Sequence, residues 1–287
     1  MQRSLESWVG RVLGALSAHT EDLPALPSVA VRLIELIDRS EPSVQELASL
    51  IAQDQVVASR VLQAANSALY VGVVPIDTLP KALMRLGARE TVQVAMAAAA
   101  HVLFDPKHRA ELEMFPDVWP RFWSSCLVRA YGGRLIAREL KRGDPERVFL
   151  GGMFCRVGSM IVVKVLSRGL VTGTVRERPT SDELAYAVDR LCVRLGVDYL
   201  TRSQMPAHVV DVTRRLEEID PLEDTDELHV IRLADGLCHR LEVVPFATGA
   251  LGELAEASAE RLGLDAERLE FLELSLRELT DQVGEMM

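Results

Sequence analysis

Aromatic side chains are scarce, at 5% of the 287 residues. Sheet-on-sheet folds lean on aromatic and β-branched residues, so a sandwich or barrel is disfavoured. No segment alternates apolar and polar residues over a strand's length, and no hairpin turn signature is present. Cysteine is sparse too: Cys126, Cys155, Cys192 and Cys238 are scattered, with no Cys-x-x-Cys pair. That spacing excludes a zinc ribbon and argues against a disulfide framework in a chain of this size. No two of the six histidines stand at His-x-x-x-His spacing. Neither a Gly-x-Ser-x-Gly nucleophile turn nor a phosphate-binding glycine loop ending in Lys-Ser/Thr occurs.

The first residues, Met1-Gln2-Arg3-Ser4-Leu5-Glu6, lack the apolar core of a secretory signal. The most apolar long stretch, Val148 to Leu166, carries Arg156 and Lys164. It is expected as a buried helix rather than a membrane span, and the protein as cytoplasmic. Excess positive charge is also missing. With 32 basic against 42 acidic residues the formal net charge is -10, which disfavours a nucleic-acid backbone as partner. Most of the acidity is C-terminal, since residues 250–287 hold ten acids against Arg261, Arg268 and Arg277.

What the chain does have is helical periodicity from end to end. Leu5, Val9, Val12, Leu13 and Leu16 recur at steps of three and four, interrupted at Leu23-Pro24-Ala25-Leu26-Pro27. Val29, Leu33, Leu36 and Ile37 form the next stripe. Ser43 with Glu46, and Thr180 with Glu183, have capping-box spacing, while Asp144-Pro145 supplies an N-cap and a first-turn proline. An alanine-rich run from Thr91 to Phe104 is expected as a buried helix. Further helices are expected over Trp119–Leu140, Pro145–Leu166, Asp182–Leu195, Ala207–Leu216 and Glu227–Leu241. Pro106, Pro116 and Pro120 mark the expected junction of two helical subdomains.

Near the C-terminus, Leu269, Leu272, Leu276, Leu279 and Val283 follow the heptad seam. Such a seam either docks on its own domain or pairs with a second subunit or partner helix. A homodimer through it is one expectation.

Two segments carry a resemblance. One is Asp54 to Gly87, where Asn66-Ser67-Ala68-Leu69-Tyr70 precedes Thr78-Leu79-Pro80-Lys81-Ala82-Leu83-Met84-Arg85-Leu86-Gly87. The other is Val148-Phe149-Leu150-Gly151-Gly152-Met153-Phe154-Cys155-Arg156-Val157-Gly158. With Leu23 to Pro27 they resemble the HDOD domain family over roughly residues 20 to 240, bacterial signalling modules related to HD-type phosphohydrolases. The resemblance implies an all-α fold: a multi-helix HD-like bundle with an N-terminal helical subdomain (1–115), a degenerate HD-like subdomain (116–245) and an acidic C-terminal helical extension (246–287).

The resemblance also implies where a metal centre would lie. HD-type enzymes hold divalent metals with a His, a His-Asp pair on a following helix, and a distant Asp. Those positions fall near Ser125, on Cys155 and Arg156, and on Asp235. A serine hydroxyl is a poor ligand, and arginine is a permanent cation with no lone pair to give. The expectation is therefore a non-enzyme without a cofactor. Arg156 either fills the metal position and pairs with Asp235 or turns outward. Asn66, Ser67 and Tyr70 either close a turn or present a recognition surface.

The function expected is a non-catalytic signal-transduction scaffold. Its partners would be proteins of two-component or cyclic-dinucleotide pathways. One alternative is a nucleotide or cyclic-dinucleotide sensor holding phosphate through Arg156. Another is a divergent metal-dependent phosphohydrolase.

Overall fold

The structure is a computed structural model describing residues 2–19, 25–39, 43–67, 75–104, 109–218, 224–246 and 251–286. Every regular element among them is a helix. The chain forms two compact units that divide at Pro106, one of the prolines marked in the sequence.

The smaller unit, residues 24–105, holds α2 (Ser28–Arg39), α3 (Val44–Ile51), α4 (Gln55–Ala65), α5 (Leu79–Leu86) and α6 (Ala88–Phe104). α6 packs against all four others. Thr91 to Ala100 are buried on every face, as the alanine-rich run requires, because short side chains let four helices approach one axis. Caps set the starts: Ser43 Oγ accepts from Glu46 N, and Asp54 Oδ1 accepts from Val56 N and Val57 N. Each satisfies amide groups that a helix leaves open at its first turn.

The larger unit takes residues 1–23 and 106–284. It contains α1 (Gln2–His19), α7 (Arg109–Met114), α8 (Val118–Leu140), α9 (Pro145–Phe154), α10 (Val157–Thr172), α11 (Ser181–Arg202), α12 (Ala207–Arg215), α13 (Asp226–Arg240), α14 (Leu251–Arg261) and α15 (Ala266–Met286). α8 pairs with α9, α10 with α11, and α13 lies against α8, α9 and α14. The Thr180–Glu183 capping box forms in both directions, and Asp144 caps α9.

Two expectations change, and a third narrows to one outcome. α1 packs on α10 and α11, so residues 1–23 belong with the larger unit rather than with a 1–115 subdomain. Its buried stripe is Trp8, Val12 and Ala15, with Leu5, Val9, Leu13 and Leu16 half-buried beside it. Second, Pro145–Leu166 is two helices, broken at Cys155 and Arg156, where Arg156 has φ −107° and ψ 17°. The apolar segment Pro145–Thr172 is long enough to cross a membrane, yet 94% of its most apolar window is buried in the fold.

Third, the described part of the 246–287 extension docks on the larger unit, one of the two outcomes expected of its seam. Leu272 and Leu276 join a core with Ile136, Leu233 and Leu237, and Leu269 packs against it. Val283 is buried and Leu279 half-buried. The leucine seam thus faces its own unit, and pairing a second copy through it would require α15 to undock. The heptad pattern registers an apolar stripe, and the stripe is satisfied within the chain.

α14 is tied to α13 at His229, whose Nδ1 lies 3.3 Å from Ser258 Oγ. Burial first, then the Arg232 charge and, more weakly, Arg261, hold the imidazole below its usual pKa of 6.5, against Asp224 and Asp226. The native state therefore binds this proton less readily than the unfolded chain. Stability is unaffected by His229 well above pH 6.5 and falls as pH drops through 6.5 toward the lowered native value. Thermal melts at pH 7.5 and about 5.5 are expected to show a smaller acid-induced loss in His229→Gln than in the wild type.

Candidate functional site

The site lies in the larger unit, where α8, the α9–α10 break and α13 meet. On α8, Ser125 and Arg129 are four residues apart and share a face. The helix break turns Arg156 out of what would otherwise be a continuous apolar rod. Asp235 comes from the middle of α13 and is 1% exposed.

These residues converge. Asp235 Oδ1 accepts from Arg129 Nε at 2.6 Å, while Oδ2 accepts from Arg156 Nε at 3.0 Å and Nη2 at 2.7 Å. Arg156 also donates through Nη1 to Glu217 Oε1, beyond the end of α12. Two guanidinium groups and two carboxylates make a formally neutral set. Burial by itself would raise the Asp235 pKa, but Arg156 and then Arg129 outweigh it and the carboxyl is held below 3.8. It stays ionised at neutral pH.

Close backbone packing makes this convergence possible. A Cβ on Gly152 would lie 3.0 Å from the Arg129 carbonyl oxygen, so the glycine lets α9 press onto α8 at that level. Gly158, two residues past Arg156, does the same for α10 against α11. Glycine is needed at both for proximity, not for an unusual φ.

Ser125 donates to Phe122 O at 2.9 Å, a bond within its own helix. Ser125, Arg129, Arg156, Ser159 and Asp235 line one cavity of about 20 Å³, walled on the apolar side by Phe122, Val188, Val244, Pro245 and Phe246. Cys155 does not join them. It sits in the core with Ile136 and Ala234, and burial pushes its thiol up to about 11. Cys192 and Cys238 are likewise pushed up to about 12 by burial.

Residues 23–219 match the HDOD domain family, well over half of the chain. The chain belongs to the HDOD family. Three solved structures share the fold. An HDOD domain protein of unknown function from Geobacter sulfurreducens is 20% identical, with TM-score 0.71 over 97% of this chain and 98% of that one. A candidate metal-dependent phosphohydrolase from Shewanella amazonensis SB2B is 21% identical, with TM-score 0.63 over 96% and 100%. A candidate signal transduction protein from Marinobacter aquaeolei VT8 is 20% identical, with TM-score 0.70 over 99% of this chain and 64% of that chain. No curated protein gives a significant match.

The HD relationship raises the question of a divalent metal, and the residues of this HDOD chain do not fit one. Both oxygens of Asp235 already accept bonds from guanidinium groups. A metal ion there would have to displace one arginine and remain beside the other, since neither can lose its charge. Ser125 is neutral, and Cys155 is a protonated thiol directed into the core.

Arg129 and Glu217 were not visible as site residues in the sequence. The clue was an arginine in the apolar run Cys126-Leu127-Val128-Arg129-Ala130-Tyr131, which needs a buried carboxylate to be tolerated. Asn66 belongs to the smaller unit and ends α4. Its Nδ2 donates to Leu62 O and Ile76 O, and its Oδ1 accepts from Ile76 N at 2.7 Å. The amide thereby joins the two ends of the connection before α5. Ser67 Oγ donates to Ala64 O, while Tyr70 lies outside the described residues.

Proposed function

We propose that this HDOD chain is a non-catalytic, cytoplasmic adaptor for bacterial signal transduction, acting through protein contacts. The observation carrying the proposal is the Arg129–Asp235–Arg156–Glu217 network. In it Arg156, a fixed cation, stands at a position where the family resemblance expects a metal ligand, and it engages Asp235, another such position. Hydrolysis by HD-type enzymes depends on a metal that polarises phosphate and activates water, and this donor set supports neither role. Protein partners in two-component or cyclic-dinucleotide pathways accord with the family.

The nucleotide-sensor alternative receives less support. A cavity of about 20 Å³ holds roughly one water-sized group, far short of a nucleotide. Its wall is also fastened: Arg121 Nη2, on α8, donates to Glu242 O at 2.9 Å and to Val244 O at 2.6 Å.

The test is direct. The purified chain, dialysed against manganese and assayed on phosphate mono- and diesters, is expected to retain no stoichiometric metal and to show no turnover. Titration calorimetry with cyclic dinucleotides is expected to give no binding heat. Turnover that chelation abolishes would overturn the proposal, and saturable dinucleotide heat would replace it with the sensor reading.

A further inference from the structure

The arginine pair leaves one part of the site unexplained. Arg129 is 3% exposed, and a guanidinium carries five N–H donors. Among the described residues only one is matched, Nε to Asp235 Oδ1. Ser159 is 5% exposed, and its hydroxyl has no hydrogen-bond partner among the described residues. Both side chains line the same small cavity. Neither side chain has a fully enclosed unmatched atom, so these donors are open to whatever fills the cavity; leaving the donors of a charged group unmet is costly.

We infer that this cavity is a binding site for a single monovalent anion of halide size, held by the terminal amino groups of Arg129 and the Ser159 hydroxyl. Charge sets the valence. The four-membered set is neutral overall, but Glu217 meets Arg156 alone, so the positive charge is least compensated at Arg129, which shares Asp235 with Arg156. A single negative charge suits that local excess, whereas a doubly charged phosphate would overshoot it.

Size sets the same limit. About 20 Å³ admits roughly one water-sized occupant, and a phosphoryl group exceeds it. Position adds to the attraction. Ser159 is in the first turn of the 16-residue α10, where the helix dipole favours negative charge. The walls select among anions. Phe122, Val188, Val244 and Phe246 supply no hydrogen bonds through their side chains, so an ion that sheds its hydration easily is preferred. Bromide should bind more tightly than fluoride, with chloride between them.

This inference does not depend on whether the chain hydrolyses phosphate esters, so either reading can fail alone. The probe is bromide, added to the full chain at constant ionic strength with gluconate as the balancing anion. Bromide is expected to raise the melting temperature saturably, beyond gluconate. Ser159→Ala, which leaves the ion pairs untouched, is expected to weaken half-saturation roughly tenfold, as for one lost hydrogen bond to a charged partner. Crystals of the wild type soaked in bromide should show an anomalous peak within hydrogen-bond reach of Arg129 and Ser159. Identical melts in bromide and gluconate, an unchanged response in Ser159→Ala, or no peak would overturn the inference and leave water as the occupant.

Discussion

Asp235→Ala is expected to destabilise the protein by about 3–5 kcal/mol, the usual cost of removing one partner from a buried ion pair. The reason is what stays behind. Arg129 and Arg156 are 3% and 10% exposed at the side chain, and both direct donors at this one carboxylate. Without it two permanent cations face each other in the interior, and Glu217 compensates only Arg156. Urea denaturation followed by circular dichroism should show a lower midpoint with an unchanged slope.

A second variant separates this account from simple loss of packing. Replacing the three most buried groups together, Arg129→Met, Arg156→Met and Asp235→Leu, leaves only Glu217, which at 24% exposure reaches solvent. It is expected to recover much of the loss, since buried ionic sets are often replaceable by apolar ones of similar volume. A wild-type midpoint for Asp235→Ala would show that the network contributes nothing to stability.

Gly158→Ala should be comparably damaging by a different route, costing about 3 kcal/mol or more. The added Cβ would lie 1.8 Å from the Cys192 carbonyl oxygen and 2.7 Å from the Gly196 amide nitrogen. Both are backbone atoms, so no rotamer change relieves the clash, and α10 must move away from α11. That displacement would carry Arg156 with it, two residues upstream. Gly10→Ala in α1 is the control: nothing lies within 4 Å of the new methyl. It is expected to be neutral or to stabilise by up to about 1 kcal/mol through helix propensity. Equal melting temperatures for Gly158→Ala and the wild type would contradict the close packing described.

These two positions also show how much the sequence disclosed. Helix positions were legible because caps and apolar periodicity are local: Thr180 with Glu183, Asp144 with Pro145, and the alanine run of α6 all declare themselves. The break at Cys155 and Arg156 was not. Neither residue breaks a helix by itself, and the interruption serves a tertiary demand, bringing Arg156 to a carboxylate 79 positions later. Asp235 and Arg156 were visible through family resemblance, whereas Arg129 was hidden in an apolar run. The α15 stripe was read correctly as a stripe. Periodicity records that a face is apolar, but not which surface covers it.

The arginine–aspartate arrangement has a consequence for how such a chain can change over generations. Each member of the trio is tolerable only while the others remain, so a step toward a ligand-bearing centre must begin by stranding a buried charge. Substituting Arg156 leaves Glu217 and half of Asp235 unmatched; substituting Asp235 leaves two cations. A lineage that acquired this arrangement crossed a ratchet: several changes must arrive together before a metal can be held again, and selection sees only the damaged intermediates.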